Sequence, residues 1–167
     1  NQENPSVAHL GSGKFVIVWD SYSKDASYDA VVGKMYSAGG GTMVNEFQVN
    51  SYTSYDQQNP SVAHVGSGKF VVVWMSSHNQ DGSDYGVYAQ RYKADGTPEY
   101  KADGTTPDEF LVNTYTTNSQ EYPSVAGLGA DKFVVAWQSY NQASGSSNYD
   151  IYQKLYEVLD ADEKKRQ

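Results

Sequence analysis

Three short segments of the chain are apolar at every position, and they set the first expectation about its structure. They are residues 15–19 (FVIVW), 70–74 (FVVVW) and 133–137 (FVVAW), each preceded by a lysine. Short runs of aromatic and β-branched residues are typical of strands. A strand without polar alternation needs cover on both faces, so we predict that each lies in a sheet packed between two neighbours.

The same segments belong to a longer unit that occurs three times. It reads NPSVAHLGSGKFVIVW, NPSVAHVGSGKFVVVW and YPSVAGLGADKFVVAW, anchored at Pro5, Pro60 and Pro123, which are spaced 55 and 63 residues apart. Periods near this length indicate solenoids, propellers or other repeat arrays. We therefore predict one domain over residues 1–156, made of repeats 1–55, 56–118 and 119–156, followed by a tail at 157–167.

Each repeat continues past the shared tryptophan in the same order. A polar loop and a second strand-like segment ending in Tyr36, Tyr92 or Tyr156 follow it. The first two repeats then add EFQVN (residues 46–50) and EFLVN (residues 109–113), which alternate between apolar and polar positions as a strand with one solvated face does. The third repeat has no such segment. The duplicated YKADGT in the second repeat is expected to extend a surface loop, where added length costs little.

Four short strands per unit, the buried one ending in Trp, are similar to a β-propeller blade. The pattern PSVAxLxxGxFVVVW followed by QDGSxYGVYAQRY resembles the tandem repeats of long secreted and cell-surface proteins of bacteria and some protists, with the best matches at residues 58–92 and 109–137. This resemblance implies a propeller-like architecture and an extracellular or cell-surface location. It carries no settled biochemical activity. The first and third repeats depart from it in the QDGS loop.

The predicted fold class is therefore all-β, with three tandem four-stranded repeats arranged as propeller-like blades. A pseudo-threefold β-prism or β-trefoil is the alternative. Closed propellers have roughly four to eight blades, so three blades leave two open ends. We expect these ends to be completed by further repeats of a longer parent chain or by a neighbouring molecule.

Composition narrows the function classes. Lys and Arg number 12 against 20 Asp and Glu, for a net charge of −8, which disfavours nucleic acid because its binding depends on basic groups. There are no cysteines, so stability does not depend on disulfides. We expect no membrane span, since no apolar stretch is long enough, and no signal peptide is seen. The start in mid-pattern favours a piece of a longer protein.

Acidic residues cluster in the polar loops. Carboxylates two to four residues apart in a Gly/Ser/Asn loop can converge on Ca²⁺, which takes six to eight oxygen ligands. The alternative is that these residues serve hairpin turns, which favour Asp, Asn and Gly. No loop has the spacing of a strong calcium motif, so the expected cofactor is none, with calcium as the ion to test. The metal candidates are Asp25, Asp29, Asp81 and Asp84, with Asp150 in the third repeat.

Aromatic residues in the same loops predict a different kind of site. Sugar rings stack on aromatic faces while their hydroxyls bond to amides and carboxylates, so the loops suit a glycan. The three tryptophans instead occupy the same position in each repeat, at the end of an apolar strand, and this indicates a packing role. They are Trp19, Trp74 and Trp137. The ligand-binding candidates are Tyr28, Tyr85, Tyr88, Tyr149 and Tyr152.

Catalytic machinery is not evident in the sequence. His9 and His64 occupy equivalent positions, but Gly127 replaces them in the third repeat, and His78 stands alone. There is no Cys nucleophile and no G-x-S-x-G motif. A carboxylate pair in a cleft would make a glycosidase, which we rank behind two other hypotheses.

The leading hypothesis is a non-enzymatic extracellular structural or adhesive module that self-associates head to tail into an oligomer or filament. The second is a carbohydrate-binding lectin with one shallow site per repeat. The first hypothesis uses exposed strand edges and Tyr-rich loops for self-association or surface attachment. Glycan binding and the state of association distinguish the two hypotheses.

Overall fold

The computed structural model describes residues 1–25, 28–78, 80–143 and 148–157, without the side chains of Ser23 and Asp25. Within these ranges the chain forms strands and no helix, so there is no helix of the length and apolarity that a membrane crossing requires. The strands make three antiparallel sheets, one for each sequence repeat. This confirms the all-β class and the three-unit organisation.

The first two sheets each contain four strands in chain order. The first consists of β1 (Gln2–Gly11), β2 (Lys14–Asp25), β3 (Tyr28–Tyr36) and β4 (Thr42–Gln48). The second consists of β5 (Gln57–Gly66), β6 (Lys69–Ser77), β7 (Tyr85–Tyr92) and β8 (Phe110–Leu111). The alternating EFxVN segments supply the fourth strands, as the sequence predicts.

The third sheet contains three described strands: β9 (Gln120–Gly129), β10 (Lys132–Tyr140) and β11 (Tyr149–Glu157). Its order places β11 at an edge. The strand runs one residue into the segment predicted as a tail, because Glu157 pairs with Lys132. Residues 158–167 of that predicted tail lie outside the described part of the chain.

The repeated proline produces the same irregularity in every sheet. Register shifts interrupt the pairing at Pro5, Pro60 and Pro123, each between the first strand of its sheet and the second. Proline has no N–H to donate to a ladder, so a strand accommodates it at a bulge. The strands beginning with this bulge are ten residues long, longer than the short PSVA strand expected.

The sheets stack face to face through two apolar seams. Every second residue of β6 points to the first sheet, with Phe70, Val72 and Trp74 against the side of that sheet that contains Val16 and Val18. The intervening residues of β6 point to the third sheet. Val71 and Val73 pack there against the side containing the aromatic residues Phe133, Trp137 and Tyr156.

One packing rule describes both seams. We call the side with the repeated Phe, Trp and Tyr the aromatic face, represented in the central sheet by Phe70, Trp74 and Tyr92, and the opposite side, with Val71 and Val73, the aliphatic face. The aromatic face of each sheet covers the aliphatic face of the sheet before it. Stacked ring pairs recur on the aromatic faces, and Phe70–Tyr92 and Phe133–Tyr156 both have centroids 4.8 Å apart.

This arrangement corrects one expectation from the apolar segments. Of the strands that contain the three apolar segments, β6 alone is buried on both faces, from Phe70 to Ser77. In β10 the burial alternates, with Phe133, Val135 and Trp137 buried and the intervening residues partly exposed. The three segments are nearly identical in sequence, so their difference comes only from position in the stack.

Buried polar side chains fix the segments that follow the fourth strands. Asn50 Oδ1 accepts the Val31 N–H at 2.8 Å, and Asn113 Oδ1 accepts the Val87 N–H at the same distance. Asn113 also donates to Gln120 Oε1 at 3.1 Å. Buried polar groups require such partners, so the repeated Asn of EFxVN fixes the outer strand and the connection that follows it.

Close backbone packing explains the glycine that breaks the histidine pattern. A Cβ atom at Gly127 would lie 1.8 Å from the carbonyl oxygen of His64 in the adjacent sheet. No side chain fits there, so the third repeat cannot carry a histidine at this position. His64 itself accepts the Gly68 N–H through Nε2 at 3.2 Å, which is a structural role.

The duplicated YKADGT segment forms an extension of the outer hairpin of the central sheet, as expected. Bridges join Tyr92 to Pro98 and Tyr100 to Pro107. Arg91 pairs with Glu99 and Asp108 and holds the extension against β7. The extension thus lengthens the outer rim of the central sheet and leaves both of its faces free for stacking.

The packing rule predicts a large cost for removing the central tryptophan. Trp74 is fully buried, so Trp74→Ala should lower the free energy of unfolding by about 3–5 kcal/mol. Urea denaturation followed by circular dichroism measures it. The matched control is Tyr100→Ala in the exposed hairpin extension, for which we expect a change within about 0.5 kcal/mol. Equal effects of the two substitutions would contradict the packing rule.

Candidate functional surfaces

Among the strands that the structure describes, one aromatic face and one aliphatic face have no neighbouring sheet. The aromatic face of the first sheet lines an open groove of about 450 Å³, whose apolar walls include Ile17, Trp19 and Tyr36. The residues of the central sheet at the positions of Trp19 and Tyr36 are Trp74 and Tyr92, which are buried. The first sheet therefore presents to solvent a surface that elsewhere in this fold is core.

The aliphatic face of the third sheet is open in the same way. Leu128, Ile151 and Leu155 are 57%, 77% and 59% exposed. The first sheet carries Leu10, Val31 and Met35 at these positions, and their exposures are 3%, 0% and 0%. Large exposed apolar patches of this kind mark interaction surfaces.

Two hydrogen bonds recur across the seams and locate each sheet against its neighbour. Ser6 Oγ accepts the Val62 N–H, and Ser61 Oγ accepts the Val125 N–H, both at 3.2 Å. The equivalent positions at the open ends are the serine Ser124, which is exposed, and Val7. The open aliphatic face thus carries the acceptor position, at Ser124, and the open aromatic face carries the donor position, at Val7, of one more bond of this kind.

The second recurring bond comes from the aromatic face. Tyr92 donates its hydroxyl to the Val49 carbonyl at 3.4 Å, and Tyr156 donates to the Val112 carbonyl at 3.3 Å. Burial raises the pKa of Tyr156 to about 12, because ionisation in the seam would be costly. Tyr36 is the equivalent residue at the open end. The acceptor valine directly follows the fourth strand of its sheet, and no fourth strand is among the described strands of the third sheet.

A shallow cavity of about 290 Å³ lies where the three proline bulges converge. Its lining consists of one equivalent dipeptide from each repeat: Asn4 with Pro5, Asn59 with Pro60, and Tyr122 with Pro123. The residue before each proline has a positive φ, between 49° and 54°. Asparagine tolerates this conformation better than tyrosine does. The three repeats therefore meet at one place and share a polar surface there.

The predicted tyrosines divide into two groups. Tyr28 and Tyr149 are exposed at the loop ends of their sheets, and Tyr85 is partly buried. Tyr88 is buried and Tyr152 is partly buried, and both pack in the seams between sheets, so their role as ligand contacts stays a prediction without support from their placement. They alternate with residues on the opposite face of the strand, and this alternation turns their rings inward.

Two of the predicted acidic residues accept hydrogen bonds from neighbouring side chains or backbone. Asp29 accepts from the Gln58 amide at 2.6 Å, across the first seam. Asp81 accepts the Ser83 N–H at 3.2 Å and the Asn113 amide at 3.3 Å, which favours a turn role for this carboxylate.

The remaining acidic candidates give no further support for a metal site. Asp84 is exposed, and the side chain of Asp25 lies outside the described residues. Among the residues that the structure describes, there is no group of three or more His, Asp or Glu placed to hold a metal ion. Calcium binding by these loops stays a prediction.

Sequence patterns alone did not single out Leu128, Ile151 and Leu155 as surface residues. Comparison of the repeats could have found them, because each belongs to the last repeat and lies on the face that a following repeat would cover. Reading that signal requires knowing which face of each strand points to which neighbour.

Known structures share this fold, although no protein-family model and no curated protein matches the chain. A protein of unknown function from Dyadobacter fermentans aligns over 93% of this chain and 38% of its own, with TM-score 0.62 and 15% identity. An endo-arabinase from Bacteroides thetaiotaomicron aligns over 95% of this chain and 57% of its own, with TM-score 0.55 and 12% identity.

An α-L-arabinofuranosidase from Podospora anserina, solved in complex with cellotriose, aligns over 91% of this chain and 52% of its own. Its TM-score is 0.51 and its identity 11%. At such identities the likeness concerns the fold alone, since one fold hosts many functions. The chain spans less than two thirds of the length of each of these three structures.

Burial of Asp20 gives a pH-dependent prediction. Desolvation raises the pKa of the Asp20 carboxyl above its ordinary value, against the opposing hydrogen bond from the Asn4 amide at 3.2 Å. A raised pKa means that the folded state favours the protonated acid. Stability is therefore lost as the pH rises from the pKa of this carboxyl in the unfolded state to its higher pKa in the folded state. We expect Asp20→Asn to be more stable than the wild type at pH 7.

The measurement is thermal unfolding of both proteins between pH 3 and pH 8. The stability difference should shrink below about pH 4, where the wild-type carboxyl is protonated in both states. The control is Asp95→Asn, because hydrogen bonds from Thr97 lower the pKa of Asp95 and reverse the direction. A wild type that is more stable than Asp20→Asn at pH 7 would contradict the prediction.

Proposed function

We propose that the chain is a non-enzymatic extracellular structural or adhesive module that associates with itself head to tail. In this association the aromatic face of one molecule covers the aliphatic face of another. The observation that carries the proposal is the exposure of Leu128, Ile151 and Leu155, whose counterparts in the first sheet are core residues. The two internal seams supply the model for the contact.

Physical chemistry favours this contact over solvent exposure of both faces. Each square ångström of apolar surface removed from water contributes about 25 cal/mol. The shapes and polar positions of the two open faces are those of a seam that forms twice within each molecule. Because the two faces differ, the contact is heterologous, and each molecule retains one free face of each kind until its neighbours cover them.

The extracellular and non-enzymatic parts of the proposal have separate support. The absence of cysteine and the low charged fraction of 19% fit a secreted repeat protein. The acidic groups Asp29 and Asp81 already accept hydrogen bonds that hold loops and seams together. These carboxylates therefore have structural tasks, which favours a structural module over a glycosidase.

The proposal predicts that a charge on the open aliphatic face abolishes association. Ile151→Glu places a carboxylate where the seam requires an apolar side chain, and burying an unpaired charge is costly. We expect the wild type to associate with increasing concentration and Ile151→Glu to remain monomeric, by light scattering and electron microscopy. Tyr100→Glu, at an exposed site on the hairpin extension, is the matched control and should associate as the wild type does. Association of Ile151→Glu at wild-type concentrations would refute the proposed contact.

Carbohydrate binding is the second candidate function. It is favoured by the cavity at the proline bulges, where exposed Tyr122 lies beside the Asn4 and Asn59 side chains. An aromatic ring with neighbouring amides suits a sugar. Two of the structurally similar proteins are named as acting on arabinose-containing glycans, and this suggests which glycans to try first.

The lectin hypothesis predicts weak binding to a subset of a glycan array that includes arabinans and cello-oligosaccharides. Tyr122→Ala should remove binding if the shared cavity is the site, whereas Tyr28→Ala in an outer loop should leave it intact. If Tyr28→Ala removes glycan binding and Tyr122→Ala does not, the binding site lies in the loops. An array without any bound glycan at millimolar protein would eliminate this function.

A further inference from the structure

The three sheets are arranged around a common axis, which determines how a head-to-tail contact continues. The first strands of the sheets are neighbours, with β5 between β1 and β9. Their proline bulges line a single cavity, to which each repeat contributes the same two positions. Equivalent points that converge in this way belong to an arc around an axis. Sheets related by translation alone would keep these points apart.

A contact that repeats the internal seam also repeats its rotation. Each added sheet then continues the same arc and brings the two open faces closer together. Heterologous contacts produce a ring when the rotation closes and a filament when it does not. Propellers close with roughly four to eight sheets, and two molecules of this chain supply six.

We propose that two molecules close into one six-sheet ring, with the twofold axis along the propeller axis. This inference rests on the head-to-tail association proposed above and specifies its partner and its end point. The aromatic face of each molecule covers the aliphatic face of the other, so the ring contains two identical seams and no open face. Each molecule supplies half of the closed structure.

Two interactions define the new seam, one apolar contact and one hydrogen bond. Ile151 and Leu155 of one molecule pack against Ile17, Trp19 and Tyr36 of the other, as Val87 of the central sheet packs against Trp137 and Tyr152 in the second internal seam. The Ser124 hydroxyl accepts the Val7 N–H, which repeats the bonds made by Ser6 and Ser61. The partner of the Tyr36 hydroxyl would come from the segment that follows a fourth strand, so we do not include that bond.

Ring closure also raises the stability of the two-molecule complex. Once one seam has formed, the second forms within the same complex, at a high effective concentration. The closed pair should therefore be much more stable than a pair held by one seam. This difference separates a ring from a simple heterologous contact.

The experiment is sedimentation velocity over a wide concentration range, applied to the wild type and to two single variants. Ile17→Glu disables the aromatic face, and Ile151→Glu disables the aliphatic face. The wild type should stop at two molecules, and each variant alone should be monomeric. An equimolar mixture of the variants retains one intact seam between unlike molecules, so it should form pairs with a dissociation constant roughly 100-fold above that of the wild type.

Each outcome distinguishes the ring from the association on which it rests. A wild type that stays monomeric would overturn both, and so would pairs that neither variant weakens. Polymers or larger rings that either variant abolishes would retain head-to-tail association and overturn the two-molecule ring. A mixture that pairs as tightly as the wild type would also overturn the ring, because the second seam would then contribute nothing.

Folding controls keep these outcomes interpretable. Both substituted residues are on open faces, and Ile151 is among the more exposed large apolar residues. The variants should therefore retain the wild-type far-UV and near-UV circular dichroism. Should Ile151→Glu unfold, Leu155→Glu tests the same face at a second exposed position, and its monomeric state carries the same meaning.

Discussion

The structure depends on one constraint: each sheet is apolar on both faces and needs a neighbour on each side. The central sheet satisfies this fully, and Val71, Val72 and Trp74 are all buried. The packing is also directional, since an aromatic face always meets an aliphatic one. Large rings and branched side chains fill the space between sheets at the density of a protein interior. With three sheets in a row, two unlike faces remain, and every functional proposal for this chain concerns what covers them or what binds beside them.

Polar interactions supply the precision that apolar packing lacks. Apolar contact is nondirectional and would tolerate sliding of one sheet over the next. The serine bonds of Ser6 and Ser61 pin the inner strands, while the tyrosine bonds of Tyr92 and Tyr156 pin the outer connection. In both seams each bond joins residues at equivalent positions of successive repeats. A seam is thus a defined geometric unit, and this makes its repetition between molecules physically reasonable.

The likeness to two arabinose-active enzymes concerns the architecture of the chain and carries no information about its chemistry. Propeller-like folds place loop ends around a shared axis, so they offer a binding surface to whatever residues the loops carry. Here that surface holds Asn4, Asn59 and Tyr122 around the axis, while the buried carboxylate of Asp20 bonds to Asn4. Amides and an aromatic ring suit recognition of a polar ligand. Association and ligand binding would use different parts of the molecule, and one function does not exclude the other.

The sequence by itself determined the strands, their grouping into three repeats and the lack of an EFxVN segment in the third, because periodicity and turn residues act locally. It also indicated that Trp74 is core. It did not determine that Tyr88 and Tyr152 point inward, that of the three apolar segments only residues 70–74 are covered on both sides, or that Ile151 and Leu155 are exposed. Those properties depend on which neighbour each face meets. Nearly identical segments such as residues 70–74 and 133–137 carry the same local information, and only their places in the stack make one of them core on both faces and the other core on one.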